Sequence, residues 1–167
     1  MLTENDVQLA YAFGTNVKVA YFDRAIWIWR IEVSYNITKI EGIGPTYGSK
    51  LTAVGIKTTG ALLKRCADRK GRRDLAEATG LDESQLLKWT NMADLMRIRG
   101  VGEEYSELLE AAGVDTVKEL ATRNATNLTA AMIEANAKRK LVRQLPGEAA
   151  VAAWVKQAKE LKPAISY

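Results

Sequence analysis

The sequence predicts an all-α fold, a tandem helix-hairpin-helix with a pseudo-twofold repeat, and two observations carry that prediction. One stretch occurs twice, 58 positions apart. Ile40-Glu41-Gly42-Ile43-Gly44-Pro45-Thr46-Tyr47 continues through Leu51 and Ala53 to Gly55-Ile56 and Thr58, and Ile98-Arg99-Gly100-Val101-Gly102-Glu103-Glu104-Tyr105 continues through Leu109 and Ala111 to Gly113-Val114 and Thr116. No alternating apolar run of strand length follows Val33, whereas apolar residues recur there at three- and four-residue spacing, the period of an amphipathic helix.

The first unit is expected over residues 37–97. Pro45 suits the first helical position, where its missing N–H is not needed, and Gly55 suits the left-handed position that closes the helix after Val54. Thr58 can cap a second helix holding Leu62 and Leu63. A third helix runs through Leu75 and Ala78 to Gly80. Asp82 and Gln85 form a capping-box pattern before Leu86, Trp89, Ala93 and Met96.

The second unit, residues 98–161, follows without a linker. Ser106 and Leu109 sit on its first helix, Gly113 ends it, and Thr116 with Glu119 opens the next. Helices are expected near 129–134 and 138–144, and Pro146-Gly147 starts a last one carrying Val151, Trp154, Val155, Ala158 and Leu161. Residues 162–167 are a tail. Leu51, Leu62, Trp89, Leu109, Leu120 and Trp154 are core candidates, and the two units are expected to bury their apolar stripes against each other.

Residues 1–36 stand apart as an N-terminal extension. They carry Trp27 and Trp29, alternate weakly over 26–33, and have no counterpart in the repeat. The expectation is that they are disordered or not native, with Val33 a candidate bacterial start.

Composition narrows the function. With 47% hydrophobic and 26% charged residues, the 167-residue chain can bury a real core. A net charge of +4 permits a nucleic-acid partner without requiring one. There is no histidine, which removes the usual proton shuttle and metal ligand, and one cysteine, Cys66, which suits a reducing, cytoplasmic setting. No signal peptide or membrane span is evident. No metal, cofactor or enzymatic activity is expected. Asn36-Ile37-Thr38 and Asn124-Ala125-Thr126 match a glycosylation pattern but read as polar loops or helix caps.

The hairpins carry the candidate chemistry. Gly42 and Gly44 allow positive φ and close approach, so amides of Gly44, Thr46 and Tyr47 can face a phosphate at a helix N-terminus, with the Thr46 hydroxyl and Lys50 adding a donor and a charge. Arg69, Lys70, Arg72 and Arg73 form a basic run after the hairpin, matched by Lys138, Arg139, Lys140 and Arg143. On the hairpin face such runs would supply counterion release; elsewhere they are solvated helix surface. The second hairpin, with Gly100 and Gly102, is expected to be structural. Between 97 and 120, Arg97, Arg99 and Lys118 face six carboxylates, and Glu103 and Glu104 fill the first helical turn where a phosphate would sit.

Gly42-Ile43-Gly44-Pro45 with Gly48 and Leu51 resembles the helix-hairpin-helix of nonspecific DNA-binding proteins. More closely, the stretch from Ile40 through Leu161, including Trp89-Thr90-Asn91-Met92-Ala93-Asp94-Leu95 and Arg99-Gly100-Val101-Gly102-Glu103-Glu104-Tyr105, resembles the bacterial family catalogued as domain of unknown function number 4332. The likeness implies the fold, and through the wider hairpin class it implies DNA binding. Such hairpins carry a basic or hydroxyl residue after the glycines; Thr46 complies, and Glu103 and Glu104 depart. The expectation is therefore weak, sequence-independent DNA binding through the first hairpin, with a protein-interaction module built on the same architecture as the alternative.

Overall fold

The computed structural model describes residues 34–167. Within them the chain forms eight α-helices and no β-strand. The expected N-terminal extension lies, up to residue 33, outside the described residues. Its last residues are built into the fold: the Ser34 hydroxyl accepts from Gly60 N–H, Tyr35 N–H donates to Thr59 Oγ1 at 3.0 Å, and Thr59 N–H donates to Tyr35 O at 2.9 Å.

A 3-10 turn, η1 (Ile37–Lys39), leads into the first hairpin and α1 (Pro45–Ala53). Helices α2 (Thr59–Cys66), α3 (Arg69–Thr79) and α4 (Glu83–Leu95) complete the first half. The second half holds α5 (Glu103–Ala111), α6 (Val117–Leu120), α7 (Ala125–Arg139) and α8 (Glu148–Glu160). Helices α1 and α5 are each nine residues long and begin 58 positions apart.

Side chains cap five of the eight helices. Thr58, Asp68, Asp82, Thr116 and Asn124 each accept from an amide in the first turn they precede, which supplies one of the partners a helix start lacks. The other three, α1, α5 and α8, begin at Gly44, Gly102 and Gly147 with no side-chain cap. Glycines in the left-handed region end helices at Gly55, Gly80 and Gly113.

A helix over 138–144 is not formed. Helix α7 runs to Arg139, and Lys140 takes a left-handed conformation at φ 54°. Asn136 then grips Val142 from both sides, donating to its carbonyl at 3.1 Å and accepting from its N–H at 2.9 Å, so the chain turns back before α8.

The two halves do not share one core. One apolar cluster gathers Ile37, Ile40, Leu51, Leu62, Leu75, Leu86, Trp89 and their neighbours; another gathers Ile98, Val101, Leu108, Leu109, Leu120, Met132, Val151 and Trp154. All six core candidates are buried, and each half packs its apolar stripe mainly on itself, with α2 against α4 and α6 against α8, while Leu95 of α4 joins the second cluster and Ala164 and Ile165 lie against the first. Contact between the halves runs through α4 and α5. There Lys88 Nζ stands 3.5 Å from Glu110 Oε2, and burial pushes the Glu110 carboxyl above its usual range although Lys88 opposes the shift. Buried Asp94 ties the halves further, accepting from Val117 N–H at 2.8 Å and from Arg97 Nη1 at 2.6 Å.

Candidate nucleic-acid interface

Each hairpin turns on a glycine in the left-handed region, Gly42 at φ 84° and Gly100 at φ 93°. A tryptophan packs over it. A Cβ on Gly42 would stand 3.4 Å from Trp89 Nε1, and one on Gly100 would stand 3.1 Å from Trp154 Nε1. A tyrosine from the following helix completes each group: the Tyr47 and Trp89 rings lie 5.2 Å apart at 59°, and the Tyr105 and Trp154 rings 5.3 Å apart at 51°. Trp89 Nε1 is buried without a hydrogen-bond partner among the described residues.

The second glycine of each hairpin has a different environment. Gly44 (φ −73°) and Gly102 (φ −101°) hold extended backbone open to any residue, and none of the described residues comes within 4 Å of a Cβ built on either. Among the described residues, neither conformation nor packing calls for glycine there. Beyond Gly44, the first helical amide paired to the turn is that of Gly48, which donates to Gly44 O at 2.9 Å; no such bond occupies the amides of Gly44, Thr46 or Tyr47 among the described residues. Pro45, Thr46, Tyr47 and Lys50 are exposed around them. Gly48 is buried, and a Cβ there would meet Thr38 Cγ2 at 3.1 Å, so its glycine serves the approach of α1 to η1.

The second hairpin differs in charge. Glu103 and Glu104 occupy the first turn of α5. Glu103 also meets Glu41 of the first hairpin, with Lys39 nearby, and burial followed by the Glu41 charge raises its carboxyl above the usual range. Acidic groups of the two hairpins therefore converge, a non-local meeting that spacing along the chain does not reveal.

The basic run after the first hairpin is dispersed. Its helix, α3, packs against α2 and α4, whereas α1 leans on η1. The expectation that Arg72 belongs to a binding surface is corrected: Arg72 is 3% exposed, and its guanidinium is spent on Cys66 O at 3.0 Å and Ser166 O at 3.1 Å. The physical reason is the α3 register, which turns position 72 inward beside Leu75 and Gly71. Arg69 stands 3.9 Å from Glu83, and Lys70 pairs with Asp74 at 2.7 Å. That pairing holds the Asp74 carboxyl below its usual range, chiefly through the Lys70 hydrogen bond. Arg73 is exposed with no ion pair among the described residues. Lys138 pairs with Glu134 at 2.6 Å, so the matching run on α7 is partly neutralised as well.

The described residues contain no cluster of three or more metal-ligating side chains and no helix long and apolar enough to cross a membrane. Cys66 is buried at the end of α2, and burial pushes its thiol above the usual range.

A family model described as a domain of unknown function (DUF4332) matches residues 41–161. No curated protein and no solved structure matches the chain.

Proposed function

The chain belongs to the DUF4332 family, and on that premise we propose that it is a non-enzymatic, cytoplasmic tandem helix-hairpin-helix protein that binds DNA weakly and without sequence preference through its first hairpin. One observation carries the reading: among the described residues nothing requires Gly44 to be glycine, at the uncapped start of a helix whose first amides have no partner there. A residue without a side chain lets a phosphate oxygen approach those amides, where the helix dipole favours negative charge. Gly42 carries no such weight, because its φ and Trp89 already account for it.

The binding set is Gly44, Thr46, Tyr47 and Lys50, with Arg73 as a distant charge. Such contacts position a phosphate backbone and read no bases. With so few free cations, affinity is low and its salt dependence shallow.

Fluorescence anisotropy of a labelled duplex over a salt series tests this. Binding is expected at about 50 mM salt, with log K falling along log salt by roughly 0.9 per phosphate neutralised. Gly44→Asp supplies a helix cap and a repelling charge together, so it is expected to abolish binding while the fold is kept or stabilised. Absence of binding by the folded wild-type chain, or unchanged binding by Gly44→Asp, overturns the proposal.

A second reading, a protein-interaction module, is favoured by the meeting of Glu41 and Glu103 beside Glu104. It requires a basic partner. Its signature is no duplex binding together with binding of a lysine-rich peptide that weakens in Glu103→Gln and Glu104→Gln.

A further inference from the structure

The C-terminal segment is seated on the first half, far in sequence from the helices it meets. Ser166 N–H donates to Ala67 O at 2.8 Å, and Ser166 O accepts from both Arg72 Nη1 and Nη2 at 3.1 Å. Both main-chain groups of one residue are thus read by a helix-end carbonyl and a guanidinium that is itself 3% exposed. Ala164 and Ile165 pack on the first apolar cluster, and the Tyr167 hydroxyl reaches Asn91 Oδ1 at 3.5 Å. On the near side, Arg97 Nη2 donates to Lys162 O at 3.1 Å.

We propose that this groove, between the end of α2, α3 and α4, is a binding site for a short extended peptide with a small-aliphatic pair before its main-chain anchor, and that residues 163–167 are its ligand in cis. Three features distinguish a built site from a tail resting on a surface. Arg72 is a buried cation whose partners among the described residues are two carbonyls, one from its own half and one from the segment. An isolated buried charge is costly, so the groove is organised around an incoming carbonyl. Ser166 is held through its N–H and carbonyl, its hydroxyl also reaching Ala67 O at 3.4 Å, and side-chain selectivity lies with the apolar seats under Ala164 and Ile165 and with Asn91 beside the Tyr167 hydroxyl. Finally, the segment does not fill the space: a depression of about 370 Å³, bordered by Arg69, Glu83 and Leu87, adjoins it at Tyr167, and another of about 240 Å³, bordered by Asp94, Thr116 and Lys118, runs along residues 163–167.

Held on the same chain, the segment acts on its groove at a high effective concentration and shields it from peptides in solution. Two full-length variants release it. Ile165→Asp removes the apolar contact, and Ser166→Pro deletes the N–H that Ala67 receives. A fluorescein-labelled peptide with the sequence of residues 160–167 is expected to bind either variant, and to bind the wild-type chain about tenfold more weakly or worse because the cis segment competes. Amide exchange on the wild type provides a check without a variant: the Ser166 amide is expected to be protected relative to a free chain. A folded variant that does not take the peptide, equal binding by wild type and variant, or a Ser166 amide exchanging at the free-chain rate overturns the proposal.

Discussion

Trp89 Nε1 stands 3.4 Å from the place a Cβ on Gly42 would take, and Trp154 holds the same relation to Gly100 at 3.1 Å. The glycine pair of each hairpin is therefore divided in purpose. The first is demanded by a left-handed φ and a tryptophan from the last helix of its half; the second is demanded by nothing among the described residues. Substitution separates them. Gly42→Ala is expected to cost about 1–2 kcal/mol for the left-handed conformation, while Gly44→Ser, which offers a capping hydroxyl, is expected to be neutral or stabilising by about 0.3 kcal/mol. Urea unfolding of the two variants checks the contrast, and equal losses would contradict it.

The two tyrosines differ in how they are held. Tyr105 donates its hydroxyl to Gln144 O at 3.1 Å, whereas Tyr47 is 41% exposed and meets Trp89 by its ring. Tyr105→Phe is expected to lose about 0.5–1 kcal/mol, the worth of one partly solvated hydrogen bond. Tyr47→Phe is expected to leave stability unchanged. Thermal midpoints of the pair decide it.

Arg72 is a structural cation. Arg72→Ala strips Cys66 O and Ser166 O of a charged donor and leaves a gap in the packing of α3, for an expected loss of about 2–3 kcal/mol. Arg73→Ala, one residue on at the surface, is expected to change stability by less than about 0.5 kcal/mol. Chemical denaturation of both variants gives the comparison.

Glu103 makes stability depend on pH. Burial, then the charge of Glu41, raises its folded pKa above the unfolded value of 4.5. The folded chain thus holds this proton more tightly than the unfolded chain, so the contribution is fully present below pH 4.5 and is lost as pH rises through the folded pKa. Glu103→Gln is expected to be more stable than wild type near neutral pH, with the difference vanishing near pH 4. Unfolding midpoints across that range test the sign; a variant less stable at neutral pH contradicts it.

Local features were readable in the sequence because their causes lie within a few residues. Gly55, Gly80 and Gly113 end helices by their conformation, Thr58, Asp82, Thr116 and Asn124 cap helices by side-chain reach, and Leu51, Trp89 and Trp154 are buried by periodicity. The helix expected over 138–144 failed because Asn136 captures Val142, a side-chain bond that propensity does not weigh.

By itself, then, the sequence determined an all-helical chain whose helices end at left-handed glycines, since backbone conformation and helical period are written in neighbouring residues. Only the tertiary structure decided that the apolar residues gather into two clusters rather than one, that Arg72 faces inward to a carbonyl 94 residues away, and that Glu41 meets Glu103. Burial and charge pairing depend on which distant segments share a space. Composition gives the basic run its charge; packing decides how much of that charge is left for a partner.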